Sequence, residues 1–245
     1  MPIYQKPPVV EAVIQLQFLD GLSDRDIERT AKKAESHYPV NSPMKDFKVE
    51  VRVAGGTATP GVSSSKSWSK LSSRDGAEVL VINRDQFTVA KLAPYATWDE
   101  LYGRFTRDYE LIHGVVGFKR VGRIGVRFIN RLDVPVVRGE RFDVSRYLNV
   151  YPYTPHISTN SMLATQLRFE HDDSENGVVT IVSTGTVDPV LINHHSYLLD
   201  IDVVKTQNIP MKREDVVANV DSLRRVKNKM FETLVTDAAR EIFNA

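Results

Sequence analysis

Residues 121 to 134 read Val121-Gly122-Arg123-Ile124-Gly125-Val126-Arg127-Phe128-Ile129-Asn130-Arg131-Leu132-Asp133-Val134. In an extended chain successive side chains point to opposite faces. Arg123, Arg127, Arg131 and Asp133 therefore share one face, and Ile124, Val126, Phe128 and Leu132 share the other. This alternation, broken off by Pro135, predicts a long strand with one face in a core and the other carrying three guanidinium groups.

Upstream, Val9 to Phe18 shows the same two-residue period. Glu11, Gln15 and Gln17 have one parity, and Val10, Ala12, Ile14, Leu16 and Phe18 the other. Ser23, with Asp26 three residues on, is a predicted N-cap, and Ile27, Ala31, Ala34 and Tyr38 recur at helical spacing until Pro39. Phe47 to Val53 reads as a strand. Ala54 to Ser65, crowded with Gly, Thr, Pro and Ser, reads as a flexible loop. Strands at Trp68–Ser72 and Glu78–Ile82 flank Arg74-Asp75-Gly76, where Asp-Gly suits a tight hairpin, and Phe87–Leu92 adds a further strand. Thr97 followed by Glu100 has the spacing of a capping box. Trp98, Leu101, Phe105, Tyr109, Ile112 and Val116 then mark one face of a helix over 98–116, ended by Gly117.

Downstream, Leu163–Glu170 and Val178–Thr184 flank Asn176-Gly177, a second hairpin signal, and Tyr197–Val204 is a third strand. Val216, Val220, Leu223, Met230 and Leu234 keep helical spacing, and Thr236-Asp237 looks like the cap of a last short helix through Ile242 and Phe243. The expected class is α+β: antiparallel sheet packed by amphipathic helices, with each half of the chain running from hairpins to a helix. Two lobes, 1–136 and 137–245, are the expected division, with one continuous domain as the alternative.

The chain of 245 residues has a formal charge of +1, so no global field draws it to nucleic acid or to anionic lipid. It contains no cysteine, which excludes disulfides, thiolate metal sites and thiol nucleophiles and fits a reducing cytoplasm. Met1-Pro2-Ile3-Tyr4-Gln5-Lys6-Pro7-Pro8 lacks the basic and apolar regions of a secretion signal, and Val9–Phe18 is too short and too polar for a membrane span. A cytoplasmic protein without a membrane partner is expected.

Several stretches together resemble a sporadically distributed family of uncharacterised bacterial proteins of about this length. They are Pro7-Pro8-Val9-Val10-Glu11-Ala12, Pro94-Tyr95 with Trp98, Arg123 to Arg131, Leu199-Asp200-Ile201-Asp202, and Phe231-Glu232 with Thr236-Asp237. The resemblance implies a bacterial or mobile-element origin and a shared fold, and brings no catalytic residue with it. Similar proteins often carry a histidine early in the last long helix, around where this chain has Arg224.

The candidate chemistry lies on the strand faces. Asp200 and Asp202 share a parity opposite Leu199, Ile201 and Val203, and Arg168 with Glu170 gives another polar face. One reading pairs these charges across neighbouring strands. The other curves the sheet around them, so that Arg123, Arg127 and Arg131 bind an anion such as phosphate while Asp200 and Asp202 hold a divalent Mg or Mn cation. His194-His195 lacks a third ligand at regular spacing, and no nucleophile elbow, Walker loop or dinucleotide fingerprint is present. Gly122 and Gly125 read as sites of bending or close packing. Trp98, Phe105 and Tyr109 read as core, and the basic run Leu223 to Lys229 as a solvated helix face. The first expectation is a non-catalytic binding or interaction module without a cofactor, with a protein partner or a homo-oligomer ahead of nucleic acid and in a mobile or defence-associated setting. The alternative is a metal-dependent phosphoryl-transfer or nucleotide/polyphosphate-binding protein.

Overall fold

The two-residue period of residues 121–134 is realised in β6, Val121–Pro135, which is bonded on both sides to long antiparallel strands: β1, Val9–Phe18, and β9, His194–Lys205. The computed structural model describes residues 4–54, 57–136, 143–152 and 164–244, with the side chains of 43–67 outside the description. The remaining strands are β2, Val40–Ala54; β3, Thr57–Ser72; β4, Glu78–Asn83; β5, Gln86–Leu92; β7, Gln166–Asp173; and β8, Val178–Val187. They form one nine-stranded antiparallel sheet in the order β2-β3-β4-β5-β1-β6-β9-β8-β7. The helices are α1, Asp24–Ala34; α2, Trp98–Val116; α3, Arg213–Leu234; and α4, Asp237–Phe243. This is an α+β fold.

One sheet face holds the core. Ala12, Ile14 and Leu16 of β1, Ile124, Val126 and Phe128 of β6, and Leu199, Ile201 and Val203 of β9 are buried beneath the helices, as their parity requires. α1 packs on β3 and β4, α2 on β5, and α3 on β6 and β9. The helix starts carry the expected caps. Ser23 and Asp26 complete a capping box on α1, and Thr97 Oγ1 accepts from the Glu100 amide at 3.3 Å. Thr97→Ala should lower stability by about 1 kcal/mol, read as a lower midpoint in urea at unchanged slope. Gly117 ends α2 at φ 73, a conformation that favours glycine, and its amide donates to His113 O.

Residues 57–65 correct the expectation of a flexible loop, because they belong to β3. Ala54 pairs with Thr57 across the dipeptide Gly55-Gly56, and the pairing runs back to Val40↔Ser72. Serine and threonine satisfy an extended backbone as well as a loop, so composition misleads there. Only Trp68–Ser72 of β3 also pairs with β4. Pro60 thus falls where the strand has one partner and a missing N–H is tolerated. Leu163 lies outside the described residues, and its predicted strand is found as β7.

The strands of 1–136 and of 137–245 form one sheet, joined through the twelve pairs from Ile124↔Lys205 to Pro135↔His194. The order is also internally symmetric. β1 neighbours β5, the strand before α2, while β6 neighbours β9, the strand before α3, and β1 and β6 run antiparallel at the centre. The symmetric division of the chain therefore falls between α2 and β6 rather than at the 136/137 junction.

Candidate functional site

The face opposite the helices carries every residue singled out on the charged strands. Arg127 grips Asp200 with two hydrogen bonds, Nε to Oδ1 at 2.9 Å and Nη2 to Oδ2 at 2.6 Å. Arg123 donates through Nη2 to Asp202 Oδ2 at 3.2 Å and through Nη1 to Gln15 Oε1 at 2.5 Å. Both ion pairs are diagonal, since Arg127 stands directly opposite Asp202 in the register. Arg131 is held by Asp133 at 2.9 Å and by the Asp188 carbonyl at 2.7 Å, and Ser196 donates to the same Asp133 carboxylate. On β7, Arg168 donates to Glu170 at 2.6 Å.

The glycines of β6 are explained by this packing. A Cβ on Gly125 would lie 2.8 Å from Arg123 Nη1, and one on Gly122 would lie 2.5 Å from Leu19 Cδ2. Electrostatics follows the pairing. The hydrogen bonds that Arg127 donates to Asp200 raise its pKa above the ordinary value. Burial raises that of Asp202, against the opposing charges of Arg123 and Arg127.

The arginines and aspartates thus come together as a ladder of ion pairs whose side chains, Arg127 apart, are 19 to 26% exposed. The Arg127 side chain remains 47% exposed. A cleft of about 490 Å³ opens beside Asp200, lined by Thr165, Gln166, Ser183, Gly185, Thr186 and Leu198. Its walls combine hydroxyl and amide groups with Ala164, Val187 and Leu198, and none of the three arginines lines it. Among the described residues no group of three or more His, Asp or Glu is placed to hold a metal ion. Asp200 gives both carboxylate oxygens to Arg127, whereas Asp202 meets Arg123 through Oδ2 alone, and a magnesium-like cation held by these two carboxylates would have to complete its shell from water or a phosphate.

A second cluster lies on the other side of the sheet, where the sequence reading saw a solvated basic helix face. The buried stripe of α3 runs Val216, Val220, Leu223, Lys227, Phe231, Leu234. Lys227 fills a core position and is only 5% exposed. Its Nζ lies 3.8 Å from the centre of the Phe128 ring and 5.8 Å from that of Phe231. One turn earlier the Arg224 guanidinium stands 5.4 Å from the Trp98 ring centre. Trp98 donates through Nε1 to Asp221 Oδ1 at 3.1 Å and stacks on Tyr102, and Tyr95 meets Phe128 edge-on. Burial, reinforced by the Arg224 charge, moves the Lys227 pKa from its ordinary 10.5 to about 7. The spacing carried the signal. Leu223 plus four is Lys227, so the helical period itself assigns the lysine to the core stripe.

Comparison with protein-family models and with curated proteins finds no match to this chain. No described helix is long and apolar enough to cross a membrane.

Proposed function

We propose that the protein is a non-catalytic interaction module whose charged sheet face, opposite the helices, receives a second copy of the chain. The reading rests on the ladder itself: Arg123–Asp202, Arg127–Asp200 and Arg131–Asp133 place rows of opposite charge side by side on the face away from the helices. Between them lie the partly buried aliphatic groups Val13, Ile129, Ile181 and Leu198. A face balanced in charge matches a surface with the same alternation and offers no net attraction to a polyanion. Stacked about a two-fold axis, each arginine row meets the aspartate row of the other copy, the self-complementarity that a symmetric dimer needs. Nine strands offer on the order of 1,000 Å² per copy, against about 800 Å² in a stable interface.

Sedimentation across the micromolar range is expected to show a dimer that weakens with added salt and falls apart in Arg127→Glu and Leu198→Asp. Ile192→Ser serves as the control, because Ile192 is 89% exposed on the β8–β9 connection, away from the ladder. A chain that stays monomeric throughout, or a dimer that loses stability only in Ile192→Ser, overturns the reading. The ladder would then act in fold stability alone.

A further inference from the structure

We infer that Lys227, Arg224 and Tyr95 form a binding site for a small organic anion, a carboxylate or a phosphate ester, between the start of α2 and the middle of α3. This site lies on the helix-covered side of the sheet and is independent of the ladder. Two donors without an acceptor, Lys227 and Tyr95, lie there beside Arg224, whose one carboxylate partner is distant. Among the described residues, the Lys227 ammonium makes no hydrogen bond or ion pair and is held only by the faces of Phe128 and Phe231. Tyr95 packs its ring on Phe128, and its hydroxyl has no hydrogen-bond partner among the described residues. Arg224 reaches Asp221 only at 3.7 Å and otherwise lies over Trp98. The arginine is within electrostatic reach of both other groups, since its charge opposes the burial of the Tyr95 phenol and adds to that of the Lys227 amine.

The nearby carboxylates are engaged elsewhere. Asp221 takes Trp98 and Arg225, and Glu232 takes Tyr4 and Arg240. Asp99 and Glu100 act on Tyr95 only through their field, from the exposed first turn of α2. An ammonium 5% exposed and without an acceptor is costly, and beside a half-engaged guanidinium and a phenol hydroxyl it marks a place where an acceptor can come from a ligand. Arg224, 32% exposed, is the outer of the two cations, and Lys227, 5% exposed, the inner. Trp98 and Phe128 supply flat apolar walls, which favour an anion carrying a planar organic group over a bare inorganic one. Such an anion keeps the lysine protonated, so binding near neutral pH takes up a proton.

The chain has two tryptophans, Trp68 and Trp98, so a Trp68→Phe protein reports from the site alone. Its fluorescence is followed while benzoate, phenyl phosphate or inorganic phosphate is added at constant ionic strength. Saturation below about 10 mM is expected for benzoate or phenyl phosphate, and whichever arm is tighter identifies the headgroup. Binding is expected to weaken at least about tenfold in Lys227→Met and in Arg224→Gln. Calorimetric enthalpies should differ between phosphate-free buffers of unequal ionisation heat, as proton uptake requires. Lys227→Met places an apolar side chain in an apolar stripe and so keeps the fold, which separates lost binding from unfolding. No saturation with any of the three probes, equal affinity in Lys227→Met, or buffer-independent heats would each overturn the inference.

Discussion

Replacing Lys227 by methionine is expected to stabilise the protein, most of all at low pH. The ammonium sits in the core stripe of α3 and has a pKa of about 7 in place of 10.5. Below about pH 7 the lysine is charged in both folded and unfolded chains, so the folded state bears the full penalty of a buried cation. Between about 7 and 10.5 the unfolded chain keeps its proton while the folded chain has lost it. Stability then rises with pH by about 1.4 kcal/mol per unit. Burial taken alone amounts to on the order of 4 to 5 kcal/mol over that window. The Phe128 ring, 3.8 Å from the ammonium, returns about 2 kcal/mol to the charged form. Urea unfolding at pH 6 should therefore show Lys227→Met more stable than wild type by on the order of 2 to 3 kcal/mol. The gap should narrow steadily toward pH 10. A gap of zero at pH 6, or one that does not change with pH, would mean that the ammonium reaches water in the folded protein.

The opposite sign is expected for Asp108→Ala. Asp108 lies on α2 with its side chain fully buried, and it accepts from the Tyr38 hydroxyl and from Arg107 Nε at 2.8 Å. Arg104 and Arg107 both stand over the Tyr38 ring, with their charged carbons 6.0 and 5.6 Å from its centre. Arg104 is further tied to the Ala90 carbonyl at 2.7 Å and to Glu78 at 3.2 Å. Removing the carboxylate leaves the buried Tyr38 hydroxyl without its acceptor and the half-exposed Arg107 without its partner, a loss of about 1 to 3 kcal/mol. Tyr38→Phe keeps the ring and its packing and should cost about 1 to 3 kcal/mol. Thermal denaturation of both variants and of the double variant measures the coupling. Additive losses would show that the tyrosine and the aspartate act separately.

The parts of the fold with a strict period were legible in the sequence. The faces of β1, β6 and β9 follow from parity alone, and α1 and α2 from their caps and four-residue spacing. The charged face was legible for the same reason. Its diagonal pairing was not, because register depends on which strands become neighbours and on which arginine is long enough to reach past the residue opposite. The β2–β3 pair was hidden by Ser, Thr, Gly and Pro, residue types that serve loops and edge strands equally well. Lys227 was missed for a different reason: a charged residue type argues for solvent, and that argument outweighed the helical position that places it inside, while Asp108, seven residues after Leu101 on the same helix face, was not singled out. In both places the spacing was the better guide.

The central position of β1 has a consequence for how the chain is made. Its two neighbours are supplied much later in the sequence, since Glu11 pairs with Leu92 on one side and Val13 with Arg127 on the other. A ribosome adding about 5 to 20 residues per second delivers Arg127 on the order of 5 to 25 s after Val13. Through that interval the edge of β1 that takes β6 is without its native partner, and the edge that takes β5 is without one until Leu92 is made, the condition under which strands join the wrong chain. The β4–β5 hairpin, paired across a few residues, closes early, whereas β1 waits for β6 and β6 in turn waits for β9. Nascent chains halted before β6 are therefore the form of this protein most in need of a chaperone.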